Sequence, residues 1–346
     1  MSEFNLLDKI AQAKLTGRGG AAFPVADKWR RMKEHQAEKK YVVCNASEGE
    51  PDVKKDWHIL AHFPEKVFQG MVLAMDYLAT KEGFLYLNSD YYPALKEQLD
   101  PLFKKYFEAG YLINLYLKKP SYIGGETGAL LNSIEGKKAQ ARIKPPSPSI
   151  TGINGVPVLL QNVETFYDIA LIAEDKYQNQ RFVTINYGKN EGVFALDLDL
   201  SVEAALQATA NYPEEEFFVQ VGGGASGVVL HQTQLNQAPL SGCASITIYP
   251  ISTTAEQMLT GWANFYAQES CGKCTPCREG TWQIKRLVDQ AINDKKIDDL
   301  FWQSILTIAD NMEKTSICGL GQAFIVPLQS YYQNIYLKQK NDQDQN

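Results

Sequence analysis

Four cysteines carry the plainest chemistry in this chain of 346 residues. Cys271, Cys274 and Cys277 recur at a strict interval of three in the stretch ESCGKCTPCREGT, and Cys318 follows much later in SICGLG. Three closely spaced thiolates and one remote one suit a cubane [4Fe-4S] cluster, in which each iron corner takes one thiolate. Structural zinc is the rival ion, but it usually takes two Cys-x-x-Cys pairs or a Cys/His mixture. No second pair and no nearby histidine stands here. Four unrelated buried thiols would be a poor account of so regular a spacing. Cys44 and Cys243 read as ordinary small side chains.

A second kind of chemistry is written in glycines. Gly17-Arg18-Gly19-Gly20 precedes Phe23-Pro24 and a candidate helix from Val25 to Lys33. Such a loop lets backbone N–H groups approach an anion, with the helix N-terminus behind them and Arg18 adding charge. A simple tight turn would use the same glycines. Gly124-Gly125-Glu126-Thr127-Gly128 opens another helix and is a second possible anion site. Gly222-Gly223-Gly224 follows a short strand in a small module and reads as a loop.

These residues need a scaffold. Tyr41 to Cys44 is a short apolar run, hence a buried strand, and it opens onto Asn45-Ala46-Ser47-Glu48-Gly49-Glu50. Ligands of open α/β sheets bind beyond strand C-termini, which places Asn45, Glu48 and Glu50 well; a solvated acidic loop is the plainer alternative. Phe63-Pro64 starts a helix whose stripe of Val67, Met71, Ala74 and Leu78 is core. Strands over 83–88 and 112–117 and a helix over 91–107 complete a β-α-β-α-β order, which predicts a parallel sheet with crossover helices. The basic, proline-rich run 137–148 cannot be helix interior. Asn162 and Thr165 lie where the next helix begins, and either can cap it. From about Arg181 short strands surround one helix, a small β-grasp-like module ending near Pro250. Four helical segments follow, over 255–267, 279–292, 301–312 and 324–337, and a bundle carrying the cluster at one end is the simplest arrangement.

Bulk properties narrow the function. A formal net charge of -6 argues against nucleic acid as the main partner. No run approaches the roughly 18 apolar residues of a membrane span. The start, MSEFNLLDKIAQAKL, reads as a helix with no signal-type apolar core. Six cysteines in a chain this long form no disulfide framework, so a reducing, cytoplasmic setting follows.

Taken together, GRGGAAFP at 17–24 with Lys28 and Trp29, CNASEGEP at 44–51, YIGGETGALLNSIEG at 122–136, KPP at 144–146, NVET at 162–165 and the cysteine motifs resemble one family. It is the flavin-binding, NADH-oxidising subunit of respiratory complex I, with relatives in NAD-linked hydrogenases and formate dehydrogenases. The resemblance covers about residues 10–335 and keeps the order of all motifs. It implies a Rossmann-like FMN domain with a parallel sheet over 1–175, a ubiquitin-like β-grasp (SLBB-type) module over 176–252 and a four-helix Fe–S domain over 253–338; the polar composition of 339–346 reads as a disordered tail. It implies roles as well. Gly17, Arg18, Gly19, Gly20 and Lys28 match the loop serving the FMN phosphate and nucleotide. Asn45, Gly125, Glu126, Asn162 and Thr165 match positions around the flavin. Phe23, Glu48, Glu50 and Lys144 match the nicotinamide-nucleotide side, and Cys271, Cys274, Cys277 and Cys318 match the cluster ligands. Implied partners are a thioredoxin-like [2Fe-2S] subunit, on a separate chain, and a larger Fe–S, hydrogenase- or dehydrogenase-type subunit; the setting is cytoplasmic, or peripheral to a membrane through those partners.

The chain also departs from the family pattern. Ser47 replaces an Asp, Thr127 a Glu and Ser147 a Phe that stacks on adenine; Arg31 replaces an aromatic, and Gln161 the first of two Asn. Loss of an aromatic stack costs about 1 kcal/mol, and each lost acid that meets a hydroxyl costs a similar amount. Three functions remain open at this point: oxidation of NADH through FMN to the cluster, an electron-wiring or scaffold subunit that no longer oxidises NADH, and a site retuned to NADPH or another nucleotide.

Overall fold

The computed structural model describes residues 3–240 and 245–344. Cys243 lies outside the described residues. The chain divides into two compact units, the first made of Met1–Gly49 and Lys54–Gln180, the second of Glu50–Val53 and Arg181–Asn346.

In the first unit, α1 (Glu3–Gln12) and α2 (Val25–Glu34) precede β1 (Tyr41–Ala46). Then follow α3 (Lys55–His62), α4 (Pro64–Leu78), β2 (Glu82–Asn88), α5 (Tyr92–Glu108), β3 (Leu112–Lys118), α6 (Thr127–Ile134), the single turn α7 (Pro148–Thr151), β4 (Val158–Asn162) and α8 (Val163–Ala173). Val42, Val43 and Cys44 of β1 are wholly buried, as a strand covered on both faces requires. The strands form a parallel sheet in the order β3-β2-β1-β4. The chain therefore runs outward from β1 to β3 and returns to the other side of β1. That reversal creates a topological switch point between β1 and β4, where open α/β sheets bind ligands beyond the strand ends. Asn45 and Asn162 are register partners at those two ends.

One face of this sheet is sealed by Leu130 and Leu131 of α6, against Val43, Tyr86, Val158 and Leu160. Burial of each leucine contributes about 1.5–3 kcal/mol. Helix α4 begins at Pro64, which presets the first turn, and ends at Ala79 in the left-handed conformation (φ 54°). The separate helix α3 is an addition to the sequence expectation. Its eight residues give too few apolar positions to show a period.

The second unit holds β5 (Gln180–Asn186), β6 (Gly192–Asp197), α9 (Val202–Ala208), β7 (Phe217–Val221), β8 (Val228–His231) and β9 (Ser245–Pro250). They make a mixed sheet in the order β6-β5-β9-β7-β8, with β5 and β9 parallel and β7 antiparallel to both β8 and β9. Its core joins Val202, Ala205 and Leu206 of α9 to Val183, Ile185, Val219 and Ile246. Helices α10 (Ala255–Glu269), α11 (Thr275–Asn293), α12 (Asp299–Thr315), α13 (Gly319–Ala323), α14 (Ile325–Tyr331) and α15 (Leu337–Asp344) follow. α10 starts with a reciprocal Thr254–Gln257 capping box, and α12 with the Asp298 cap. α10 packs on α11, α11 on α12, and α12 on α14. Trp262 and Tyr266 of α10 donate to the carbonyls of Gly224 and Ala225, tying this helical region to the sheet.

One expectation is corrected here. The single helix foreseen over 324–337 is interrupted by a π-helical turn, Tyr332–Tyr336. Beyond it α15 runs to Asp344, with Lys340 paired to Asp299 of α12 at 2.9 Å. Lys and Gln are good helix formers and no Gly or Pro interrupts the segment. No helix among the described residues is long and apolar enough to cross a membrane.

Candidate functional site

At the switch point the glycine loop is folded by its own ends. Thr16 bridges Pro24, and the Gly17 amide donates to the Phe23 carbonyl at 2.9 Å. Arg18, 4% exposed, faces inward. Its Nε donates to Asp168 at 2.9 Å, its guanidinium to the Tyr177 hydroxyl at 2.9 Å, and its amide to Thr165 Oγ1 at 3.0 Å. Arg18 and Thr165 thus clamp the loop onto α8, while Gly19 and Gly20 lie exposed above. A Cβ at Gly19 would lie 3.4 Å from Asn162 Cβ, which puts Asn162 directly beneath the loop.

Asn162 caps α8, accepting the Glu164 amide at 3.1 Å, and donates to the Asn45 carbonyl at 3.3 Å. Asn45 in turn donates to the Gly125 carbonyl at 3.0 Å and accepts the Ser47 amide at 3.1 Å. A Cβ at Gly125 would lie 2.7 Å from Ser47 Oγ, which places the Ser47 hydroxyl directly against the Gly125 backbone. Glu126 caps α6 by accepting the Ala129 amide at 2.9 Å, and Lys144 lies 4.0 Å from its other oxygen. Loop and strand ends thereby bring Gly17, Arg18, Gly19, Gly20, Asn45, Gly125, Asn162 and Thr165 into one hydrogen-bonded neighbourhood.

Lys28 donates to the Leu160 carbonyl, and burial pushes its pKa down to about 8. Beside an exposed glycine pair, an ammonium with no carboxylate partner among its described bonds suits a phosphate. Gln161, 4% exposed, accepts from Trp29 at 3.3 Å, but its buried Nε2 has no hydrogen-bond partner among the described residues. The exposed Gly19 and Gly20 and the Lys28 ammonium are what the phosphate of a ligand such as FMN would engage, so the residues present fit it.

The remaining predicted residues are placed differently. The Glu48 carboxylate accepts the amides of Asp56 (2.7 Å) and Trp57 (3.2 Å) at the start of α3, and the Tyr91 hydroxyl (2.9 Å). Burial, reinforced by Asp56, pushes its pKa up to about 8. Glu50 belongs to the second unit, where one carboxylate oxygen accepts the amides of Ala225 (3.0 Å) and Ser226 (2.9 Å). The triple-glycine loop there is thus a cradle for a carboxylate side chain. Phe23 is 40% exposed, with the Arg31 guanidinium 5.3 Å over its ring.

A buried ionic network is an addition to the sequence expectation. Lys55 and Asp56, both 3% exposed, are joined at 2.6 Å, and Lys55 also reaches Glu164 at 3.1 Å. With Arg18, Asp168 and Glu48 the neighbourhood holds two cations and four carboxylates. Burial pushes Asp168 up to about 7 and Asp56 upward, against the pull of Arg18 and Lys55 respectively. The only sequence signal is a Lys-Asp pair just after the acidic loop.

In the second unit the four motif cysteines converge on one corner. Cys274 stands at the N-terminus of α11, Cys277 in its first turn, Cys318 at the N-terminus of α13, and Cys271 in the loop before them. Helix N-termini favour thiolates. Cys277 is 4% and Cys318 7% exposed. Burial pushes Cys277 up to about 12; the Ser270 hydroxyl, 3.4 Å away, opposes this, and the other three thiols add to it. Arg278 closes the loop on the Gly272 carbonyl at 3.1 Å, where Gly272 takes φ +75°. A Cβ on Gly321 would meet Ser316 Oγ at 2.4 Å and Cys277 Cβ at 3.0 Å, so glycine is needed to bring α13 against the motif. Among the described residues no three His, Cys, Asp or Glu gather closely enough for one metal ion. Four thiols with no other donor type suit a cluster whose iron corners each take one.

An α/β unit with a glycine loop at its switch point, joined to a helical region with a four-cysteine corner, defines a class of nucleotide- and cluster-binding chains. Residues 10–171 match the family model of the Nuo51 FMN-binding domain, and residues 257–336 that of the NADH-ubiquinone oxidoreductase-F iron-sulfur binding region. The F subunit of the NADH-quinone oxidoreductase of Rickettsia felis is 30% identical, over 94% of this chain and 85% of that protein. The alpha subunit of the NAD-reducing hydrogenase HoxS of Cupriavidus necator is also 30% identical, over 93% of this chain and 58% of that subunit. The crystal structure of an NAD+-reducing [NiFe]-hydrogenase in the H2-reduced state superimposes with a TM-score of 0.88 at 27% identity, covering 97% of this chain and 63% of that one. The chain spans under two thirds of the length of these hydrogenase chains. It belongs to the family of the NADH-quinone oxidoreductase F subunits.

Proposed function

We infer that this chain is the NADH-oxidising, FMN- and [4Fe-4S]-carrying subunit of a complex I-like or NAD-reducing hydrogenase assembly. The observation that carries this reading is the presence, in one member of that family, of both a glycine-loop switch point and a four-cysteine corner. Bound FMN would supply hydride acceptance from a reduced nicotinamide and one-electron release, the chemistry that a cluster taking electrons singly needs. The protein's part is positioning. The exposed glycines Gly19 and Gly20 and the ammonium of Lys28 would hold the phosphate, Gly17 closes the loop on Phe23, and Arg18 holds the loop to α8. Asn45, Gly125, Glu126, Asn162 and Thr165 shape the seat of the ring. Phe23, Glu48 and Lys144 would serve the nicotinamide-nucleotide side. Cys271, Cys274, Cys277 and Cys318 ligate the cluster. No side chain is required to act as a base.

The finer architecture belongs to the same proposal: an FMN domain over 1–175, an SLBB-type β-grasp module over 176–252, and a four-helix Fe–S bundle over 253–338. The five-stranded sheet with α9 and the succession α10 to α14 support it. A thioredoxin-like [2Fe-2S] subunit and a larger Fe–S subunit complete the assembly in the cytoplasm, or at a membrane surface through those partners. Ser47, Thr127 and Ser147 weaken the nucleotide side and leave the choice between NADH and NADPH to this site. Anaerobic titration of the FMN-loaded protein decides it. NADH is expected to bleach the flavin. Bleaching by NADPH alone would move the specificity, and bleaching by neither would overturn the reading.

A further inference from the structure

The Asn162 carboxamide makes four bonds, and two of them run to charged groups. Its Oδ1 accepts from the Glu164 amide at 3.1 Å and from Lys55 Nζ at 2.9 Å. Its Nδ2 donates to the Asn45 carbonyl at 3.3 Å and to Asp56 Oδ2 at 2.6 Å. An ammonium only donates and a carboxylate only accepts. Turning the amide over would set its NH2 against Lys55 and its oxygen against Asp56. The pair therefore dictates which way the amide faces, at a site almost sealed from water.

We propose that Lys55 and Asp56 are positioning residues for the flavin: they lock the Asn162 carboxamide at the switch point and so fix the floor under Gly19 and the strand ends. This rests on the FMN reading above. The groups facing the lock come from several elements. Glu164 and Asp168 lie on α8, Arg18 on the loop, and Glu48 after β1, with Tyr91 donating to Glu48. The pair is adjacent in sequence and opens α3, so one helix start delivers both charges to one amide. A role confined to stability would leave the bound flavin's spectrum and potential alone, whereas a lock on its seat changes both affinity and potential.

The test uses the full chain. FMN affinity is measured by quenching of flavin fluorescence, and the midpoint potential of bound FMN by spectroelectrochemistry. Circular dichroism serves as the folding control. Lys55→Met and Asn162→Ala are each expected to weaken FMN binding about tenfold, with the double variant little worse than either, the mark of coupled residues. Asp56→Asn, nearly isosteric, keeps the proposal testable if Lys55→Met does not fold. It is expected to bind FMN more weakly and to raise the flavin potential, because a negative charge is lost. Additive effects of Lys55→Met and Asn162→Ala, or a folded Asp56→Asn with wild-type affinity and potential, would overturn the lock. Wild-type protein that takes up no FMN would overturn the functional reading and the lock with it.

Discussion

The switch point of the first unit and the cysteine corner of the second are built on opposite plans. At the switch point nearly every implicated side chain already has a protein partner: Arg18 with Asp168, Asn162 with Lys55 and Asp56, Glu48 with the start of α3. At the cysteine corner four thiols are brought to one place by two helix starts, and burial raises the pKa of Cys277. A site of the first kind is pre-organised by the polypeptide. A site of the second kind draws its order from what it binds, since ligand binding there is coupled to folding and to proton release.

That contrast can be broken by substitution. The largest effect is expected at the corner: Cys277→Ser or Cys318→Ser should abolish the cluster, seen as loss of bound iron and of the low-temperature EPR signal. Flavin affinity should be untouched. In the first unit the largest effect is expected from Arg18→Ala, which strands Asp168 in the interior; breaking such a buried pair costs about 3–5 kcal/mol. Thermal melts of the apoprotein should show it without any cofactor, which would sharpen the idea that this region is organised by the chain itself.

A smaller effect concerns pH. The folded protein holds the Glu48 proton up to about 8, against an ordinary value of 4.5. Between those values the folded state binds more protons than the unfolded one, so the contribution of this group to stability falls as pH rises through that window. Glu48→Gln should flatten the slope of apoprotein stability between about pH 5 and about pH 8, measured by urea unfolding. An unchanged slope would place the titration elsewhere in the network. The smallest effect is expected at the exposed Phe23–Arg31 contact, where Arg31→Ala should cost about 0.5–1 kcal/mol of cation–π interaction and shift nucleotide affinity, read by calorimetry, by a few-fold at most.

The two plans also explain what could be read in advance. Cysteine spacing, glycine loops and the N-cap at Asn162 are local signals, and the parallel sheet follows from alternating strand and helix patterns. The network of Lys55, Asp56, Glu164 and Asp168 has no local signature. A charged pair at a helix start looks like a solvated face, and its burial is decided by partners more than a hundred positions away, as in the Lys55–Asn162 and Arg18–Asp168 bonds. Arg18 shows the same limit: its charge is legible in the sequence, its inward direction is not. Strand β8 is illegible because four residues are too few to show a period, and the partners of Glu50 because nothing in the acidic loop tells which acceptor the triple-glycine loop will capture.

The central claim is that reducing equivalents from a nicotinamide pass through the first unit's cofactor to the second unit's cluster. Anaerobic addition of NADH to the reconstituted protein, with the flavin followed by absorbance and the cluster by EPR on the same samples, tests it most directly. The account predicts flavin bleaching together with a reduced-cluster signal in the wild type, and bleaching without that signal in Cys318→Ser. A cluster signal that survives in Cys318→Ser, or a wild-type protein in which NADH alters neither centre, would contradict it.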